Sequence, residues 1–224
     1  MSKASLVTQR QLLSALSGGE FQSGQVLADT LGLSRTAIAN HIKQLQQLGL
    51  DIYKVKGRGY CLAEPLTLLD AAKISQLRQS GGADILVQNI TDSTNSQLMQ
   101  KVQDRLVTQP GYTLVAEAQT AGRGRRGRNW YSPFAASLYF SMYWRLEQGI
   151  QAAMGLSLVV GIAIARLLKQ QYQVEAKVKW PNDVLIKNKK VAGILTDSSM
   201  MGSVILAMIG VGVRNFRIFF KREA

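Results

Sequence analysis

Length, composition and charge already exclude several classes of protein. The chain has 224 residues, a formal net charge of +13, one Cys and one His. Its length favours two domains. A single Cys excludes an intrachain disulfide framework and a Cys-cluster zinc site, and a single His leaves few ways to build a multi-His metal site. Any chemistry must therefore depend on Lys, Arg, Asp, Asn, backbone N–H groups and a hard cation, and the positive charge points to nucleic acid or phosphates.

The N-terminus does not have the pattern of a signal peptide. Met1–Gly18 lacks an apolar stretch of the required length. The apolar stretches Ala152–Leu168 and Met200–Val213 are at or below the minimum length of a membrane span, and they predict a buried helix and a buried strand instead. Together with the lone Cys, this predicts a cytoplasmic protein with no membrane partner.

The first block of the chain has the pattern of a winged helix-turn-helix. Apolar residues at helical spacing predict a helix near the N-terminus, a short second helix around Val26–Leu31 and a third over about Arg35–Leu48. Ser34 is placed to cap the third helix. Two short strands follow at Asp51–Val55 and Tyr60–Leu62, and the turn between them carries basic residues.

The polar face of the third helix predicts DNA binding because it carries no acidic residue. In a helix-turn-helix pair the second helix enters the major groove of DNA, and here that helix is the third helix of the chain. The basic tip of the hairpin is placed to touch phosphates. A small helical domain with a solvated polar face is the alternative. The residues that we expect to contact DNA are Ser34, Arg35, Thr36, Asn40, Lys43 and Gln44 on the helix, and Lys56 and Arg58 at the hairpin tip.

From about residue 64 onward, helical and strand patterns alternate, which indicates a mixed α/β domain. A break near Ala63–Pro65 marks the boundary. The predicted helices cover Leu66–Arg78 and Ala152–Leu168, and the predicted strands cover Asp84–Asn89, Thr113–Ala118, Ser137–Trp144, Val174–Lys179 and a segment that starts at Val191.

Three segments of this second block carry side chains suited to a ligand. Thr91–Ser96 is a cluster of hydroxyl and amide side chains at a helix start, which is either a cap or a polar ligand site. Gly122–Arg128 holds four Arg and three Gly without P-loop spacing, and it could bind phosphate, bind RNA or form a solvated linker. Lys179–Asp183 follows a strand, so it could hold a phosphate with its Mg²⁺ or form a surface turn.

Together these segments resemble the biotin–protein ligase family, in its bifunctional members that also repress the biotin operon. The resemblance implies an α+β protein with a winged helix-turn-helix domain over residues 1–63 and a mixed α/β catalytic domain over residues 64–224. Because the sequence departs from the family pattern at Arg214 and then stops, this domain is expected to be incomplete at its C-terminus. The resemblance is carried by Asp92–Asn95, Gly122–Arg128 with Trp130, Lys179–Asp183 and Lys190–Leu195.

The resemblance also implies a reaction and its participants. Biotin and MgATP would give biotinoyl-5′-AMP, and the biotinoyl group would then pass to a lysine of a biotin carboxyl carrier protein. The adenylate would act as corepressor and favour a homodimer that binds biotin operator DNA. The implied catalytic residues are Arg123, Lys179, Asp183 and Lys190. The implied biotin and adenylate contacts are Ser93, Thr94, Asn95, Gln119, Gly122, Arg123, Gly124, Arg125, Trp130 and Lys190, with no resident metal site.

Two other functions stay open at this point. A DNA-binding regulator that senses a small ligand without catalysis would need the same binding residues but none of the chemistry. A general RNA-binding protein would use the segment Gly122–Arg128, called the Arg-Gly loop below, but this loop contains no interleaved aromatic residues on which bases could stack.

Overall fold

The computed structural model describes residues 3–78, 81–147, 150–201 and 204–214. The chain divides into two compact units, Met1–Leu69 with Pro133–Ala135 and Asp70–Ser132 with Ala136–Ala224. Among the described residues, none of the helices combines the length and apolar character needed to cross a membrane.

The first unit is a winged helix-turn-helix, as the sequence predicts. Its hairpin pairs antiparallel, with Ile52 opposite Leu62 and Val55 opposite Gly59. The elements in chain order are α1 (Lys3–Leu16), α2 (Gly24–Leu31), α3 (Arg35–Gln47), β1 (Ile52–Val55) and β2 (Gly59–Leu62).

Local signals in the sequence set the turn between α2 and α3. Gly32 follows α2 with a φ of 64°, a left-handed conformation that glycine adopts without steric cost. Two residues later, the Ser34 side chain accepts a hydrogen bond of 3.1 Å from the Ala37 N–H, which satisfies a donor at the start of α3. The predicted cap is therefore confirmed.

The apolar faces of the helices meet in the interior of this unit. Leu12, Leu16, Ile38 and Leu45 are each 0% exposed, and Ile42 is 3% exposed. Ile38, Ile42 and Leu45 belong to α3 and recur at the helical spacing that the sequence predicts. The polar face of α3 is thereby directed away from the core.

The second unit is built on a mixed sheet, which confirms the predicted α/β class. Its described strands lie in the order β3-β4-β5-β9-β8-β7-β6. β3 and β4 are parallel neighbours, and the other adjacent pairs are antiparallel. The strands are β3 (Ile85–Thr91), β4 (Thr113–Gln119), β5 (Ser137–Leu146), β6 (Lys177–Lys179), β7 (Asp183–Ile186), β8 (Lys189–Met201) and β9 (Val204–Arg214).

Helices α5 (Thr94–Gln103) and α6 (Ile150–Tyr172) cover opposite faces of this sheet, and a shorter helix, α4, spans Ala71–Leu77. Phe140 of β5 packs in the cluster that α6 forms with the central strands. Tyr143, an odd number of residues further along β5, packs against Leu98 of α5. Because successive side chains of a strand point to opposite faces, the two helices lie on different sides.

Three sequence predictions need correction. The helix predicted over 66–78 covers only Ala71–Leu77, because the Asp70 carboxylate accepts from the N–H groups of Ala72 and Lys73 and starts the helix there. The strand predicted over 174–179 is limited to Lys177–Lys179.

The stretch 200–213, predicted as one strand, spans the end of β8 and most of β9. Met201 of β8 is paired with Val204 of β9 in an antiparallel register, and the two strands satisfy each other's backbone groups. The atypical tail after Arg214 lies outside the described residues.

Leu45→Ala should destabilise the winged-helix unit by about 2–5 kcal/mol, because it removes buried methyl groups and leaves a cavity. Native-state hydrogen exchange of the α2 and α3 amides measures this free energy within the full chain. Val26→Ala is the matched control, since Val26 lies on α2 and is 52% exposed. Equal loss of protection in both variants would contradict the assignment of Leu45 to the core.

Candidate active site

The carboxyl ends of β3 and β4 meet at one edge of the second unit. Thr91 pairs with Gln119 at the ends of these parallel strands. Beyond them the chain enters α5 on one side and the Arg-Gly loop on the other. Ligands of α/β sheets bind at such strand ends. A cavity of about 510 Å³ opens here, and it is lined by residues of α5, the Arg-Gly loop, the turn between β6 and β7, and strands β8 and β9.

One end of the cavity is neutral, polar and buried. Ser93, Thr94 and Asn95 are each 3% exposed and lie at the start of α5. The backbone N–H and the hydroxyl of Thr94 lie 2.8 and 3.1 Å from Gln119 Oε1. The same hydroxyl is 2.9 Å from Ser141 Oγ. These bonds fix a set of uncharged donors and acceptors in one arrangement.

Gly122 lies at the base of the Arg-Gly loop, in close contact with Trp130 and Ser132. A Cβ at Gly122 would meet the Trp130 carbonyl oxygen and would lie 2.7 Å from Ser132 Oγ. The Trp130 N–H donates to the Gly122 carbonyl at 2.8 Å, which closes the base of the loop. Gly122 is not among the residues that line the cavity, although the resemblance had placed it in contact with the ligand.

The Trp130 indole lies against the sheet where two strands carry no side chain. A Cβ at Gly193 of β8 would be 2.8 Å from the indole, and one at Gly212 of β9 would be 2.5 Å from its Nε1. The Lys190 ammonium lies over the ring, 5.0 Å from its centroid. Glycine is therefore required at both strand positions if Trp130 is to line the cavity.

Arg123 connects the loop to the neutral end of the cavity. Its Nη2 donates to Asn95 Oδ1 at 3.0 Å and forms an ion pair with Asp197 Oδ2 at 2.6 Å. Asp197 lies on β8, so the loop is held by two different elements. The sequence reasoning did not single out Asp197 as a site residue.

Arg125 connects the same loop to the turn between β6 and β7. Its Nη1 donates to Asn182 Oδ1 at 3.1 Å. Asn182 is itself fixed on β8, because its Nδ2 donates to the Ile194 carbonyl at 3.0 Å and its carbonyl accepts from the Ile194 N–H at 2.9 Å. Gly124 also lines the cavity, between these two arginines.

The remaining predicted catalytic residues fall in two places. Lys190 and Asp183 line the cavity and form an ion pair with 2.7 Å between Nζ and Oδ1. Lys179 lies opposite Asp183 in the strand register, but its side chain is exposed and is not among those that line the cavity.

The cavity lining includes residues that the sequence reasoning did not select. Asn182 lies inside the Lys179–Asp183 segment, from which the sequence predicts only Lys179 and Asp183 as site residues. The alternation of Gly210 and Gly212 on one strand was a usable signal, since residues two apart face the same side. The lining residues that had not been selected as site residues are Arg126, Arg128, Asn129, Trp180, Pro181, Asn182, Gly193, Ile194, Leu195, Gly210, Val211 and Gly212.

Charge divides the cavity into a neutral end and a positive mouth. Asp183 is the carboxylate among the lining residues, and it already faces Lys190. Within the described part of the chain, no group of three or more His, Cys, Asp or Glu side chains could hold a metal ion. The basic lining residues are Arg123, Arg125, Arg126, Arg128 and Lys190.

The predicted DNA contacts lie on the first unit, and most are exposed. Ser34, Arg35, Thr36, Asn40 and Lys43 are exposed on or beside α3. Gln44 is half-buried, because its Oε1 accepts a 2.8 Å hydrogen bond from Gln9 of α1. Both basic residues at the hairpin tip, Lys56 and Arg58, are exposed.

A winged helix joined to an α/β domain with a neutral pocket and a positive mouth defines a class of protein. It combines a nucleic-acid-binding module with a domain suited to a small molecule that carries phosphate. Comparison with known proteins identifies the family within this class. The model of the biotin/lipoate A/B protein ligase family matches residues 87–214, and that of the HTH domain matches residues 8–61. The chain belongs to the biotin/lipoate A/B protein ligase family.

Curated relatives agree with this membership. The bifunctional ligase/repressor BirA of Escherichia coli is 46% identical over 204 residues, which cover 91% of this chain and 62% of that protein. BirA of Bacillus spizizenii is 33% identical over 88% of this chain and 61% of its own length. The chain thus spans less than two thirds of these relatives. A solved biotin protein ligase from Aquifex aeolicus, in complex with biotin and ATP, has a TM-score of 0.47 at 30% identity, over 58% of this chain and 51% of that one.

Gly212→Ala should displace the Trp130 indole and lower the free energy of unfolding by about 1–3 kcal/mol, because an added methyl group overpacks a filled site. Urea unfolding followed by tryptophan emission measures both effects. Gly155→Ala is the matched control, since a Cβ there meets no atom within 4 Å and the residue lies inside α6. That variant should keep or slightly raise stability. Unchanged emission and stability for Gly212→Ala would refute the packing described here.

Proposed function

We propose that this chain carries the catalytic site of a biotin–protein ligase and the DNA-binding domain of a biotin-responsive repressor. In this proposal residues 1–63 form the DNA-binding domain and residues 64–224 form the catalytic domain. The protein would act in the cytoplasm. One observation carries the ligase part: a single cavity joins a buried, neutral hydrogen-bonding end to a mouth lined by arginines and Lys190. A molecule with an uncharged polar head and a phosphate matches both ends.

The neutral end suits the ureido head of biotin. A ureido group needs donors for its oxygen and acceptors for its N–H groups, and Ser93, Thr94 and Asn95 offer hydroxyl and amide groups of both kinds. Gln119 holds Thr94 in place through the bonds to its Oε1. These side chains are buried and already hydrogen-bonded within the protein, so their positions are set before a ligand arrives.

The positive mouth suits the first step of the reaction. The biotin carboxylate attacks the α-phosphorus of ATP, a P–O bond breaks, and pyrophosphate leaves with the electron pair of that bond. The carboxylate is already ionised at neutral pH, so this step needs no strong base. It needs positive charge beside the phosphate oxygens, which Arg123, Arg125 and Lys190 supply, and a fixed orientation of the reactants.

The second step transfers the biotinoyl group. The neutral amine of an acceptor lysine on a biotin carboxyl carrier protein attacks the carbonyl of the mixed anhydride, the C–O bond to the phosphate breaks, AMP leaves with that electron pair, and the proton that the amine loses passes to water. In this proposal Asp183 and Lys179 support the ATP and the incoming lysine, and Trp130 packs near the adenine. Asp183 lies within the cavity, whereas Lys179 would act from the rim.

The magnesium ion of MgATP would bind in this cavity through the phosphate oxygens and one carboxylate, not at a site built from protein ligands alone. Mg²⁺ uses one or two protein carboxylates together with phosphate oxygens and water. Asp183 is the carboxylate that the cavity offers, and it would hold the ion together with the phosphate oxygens of ATP. When bound, the ion would neutralise phosphate charge.

The repressor part of the proposal rests on the exposed polar face of α3 and the basic hairpin. In this proposal Arg35, Asn40 and their neighbours read operator DNA, while Lys56 and Arg58 contact phosphates. The adenylate would act as corepressor by favouring a homodimer that presents two winged helices to a two-fold operator. Such coupling requires that the adenylate bind the dimer-competent state more tightly.

Lys190→Gln should slow pyrophosphate release from biotin and MgATP by about a hundredfold, because a neutral amide cannot offset the charge that develops on the phosphate oxygens. Lys189→Gln is the matched control, since Lys189 precedes Lys190 on β8, is exposed and does not line the cavity. A coupled pyrophosphate assay and calorimetric biotin binding are measured for each variant. Biotin binding without pyrophosphate release by the unaltered chain would exclude the ligase chemistry here and favour a ligand-sensing regulator.

Arg35→Ala should weaken binding to a DNA duplex and, where Arg35 contacts a phosphate, lower the slope of log affinity against log salt by about one. Fluorescence anisotropy with a labelled duplex at several salt concentrations measures both quantities. Lys73→Ala on α4 is the control, because it removes one exposed charge from the other unit. Equal losses from the two substitutions would mean that only net charge matters and that α3 does not bind DNA.

A further inference from the structure

An aromatic ring lies beneath the arginine at the tip of the hairpin. We propose that Phe21 is a positioning residue for DNA binding, because its ring holds the Arg58 guanidinium in place while leaving its N–H groups available for a phosphate. This inference rests on the proposed DNA-binding function. The interaction brings together the segment before α2 and the hairpin tip, two parts of the chain that are far apart in sequence.

The backbone fixes Phe21 beside the hairpin. Its neighbour Gln22 forms two backbone hydrogen bonds with Tyr60 of β2, of 2.7 and 2.9 Å, so the segment before α2 is joined to the hairpin by a single antiparallel β-bridge. Gly59 makes this approach possible. Its φ is 101°, and a Cβ there would meet the Gln22 carbonyl oxygen and lie 2.8 Å from the Ser23 Cα.

The Arg58 side chain uses this fixed ring. Its Cζ lies over the Phe21 ring, 4.1 Å from the centroid. Among the described residues, none forms a hydrogen bond or an ion pair with the guanidinium. A guanidinium that stacks on a ring uses its face, whereas its N–H donors lie in its plane and point outward. Arg58 can therefore be held by Phe21 and still pair with a phosphate through two N–H groups.

The other basic side chains of the hairpin are held less closely. The Lys54 ammonium is 5.7 Å from the centroid of the Tyr60 ring, its cross-strand partner. For Lys56, no aromatic contact is found among the described residues. Arg58 is thus the hairpin cation whose rotamer is most restricted before DNA arrives. Restricting a long side chain in advance reduces the entropy lost on binding.

A double-mutant cycle tests this role in the full chain. Phe21→Leu should weaken binding to a labelled mixed-sequence DNA duplex at low salt by about two- to fivefold, the range of an exposed cation–π contact. In the Arg58→Ala background, Phe21→Leu should have no further effect, since the ring then has no guanidinium to hold. Phe21→Tyr keeps an aromatic ring and should bind as the unaltered chain does. Circular dichroism melting verifies that each variant is folded.

Each outcome decides the proposal. Equal losses from Phe21→Leu in both backgrounds would show a merely structural role and overturn it, as would no loss in the unaltered background. If Phe21→Leu does not fold, Arg58→Lys takes its place: it keeps the charge but loses the planar group, and should cost about two- to fivefold. Unchanged affinity for that variant would overturn the proposal. Absence of DNA binding by the unaltered chain would instead refute the proposed DNA-binding function itself.

Discussion

The contact between the Trp130 indole and two glycines of the central sheet is the constraint on which the cavity depends. Side chains at Gly193 or Gly212 would occupy the space that the indole fills. The position of Trp130 also fixes the base of the Arg-Gly loop, through its hydrogen bond to Gly122, and places an aromatic surface beneath the Lys190 ammonium. The packing of the Trp130 indole against Gly193 and Gly212 therefore positions the Arg-Gly loop, the Lys190 side chain and one wall of the cavity together.

Three cations of the cavity, Arg123, Arg125 and Lys190, already have partners in the protein, so a phosphate in the proposed reaction would compete with those partners. Arg123 is shared between Asn95 and Asp197, and Lys190 faces Asp183. These ion pairs are partly exposed, and such pairs contribute little to stability. Their modest strength lets a bound phosphate take over Arg123 and Lys190 at small cost.

In the proposed function, the net charge of +13 serves different purposes in the two units. In the first unit, basic side chains are exposed on α3 and on the hairpin, where a polyanion of any length can reach them. In the second unit, arginines and Lys190 converge on a cavity of about 510 Å³, a volume in the range of small-molecule sites. Adenylation needs positioned charge more than acid–base groups, and a chain with a single His can provide that.

The sequence by itself determined the order of elements in the first unit, the cap at Ser34, the buried face of α3 and most of the segments that carry the cavity residues, because these depend on local spacing and on neighbours within one turn or strand. It did not reveal that Asp197 and Asn182 hold the arginines, that Lys179 lies outside the cavity, or that Phe21 lies under Arg58. These facts depend on which strands become neighbours and in which register. Only the tertiary structure sets that register, since pairing between distant segments is selected by the packing of the whole domain.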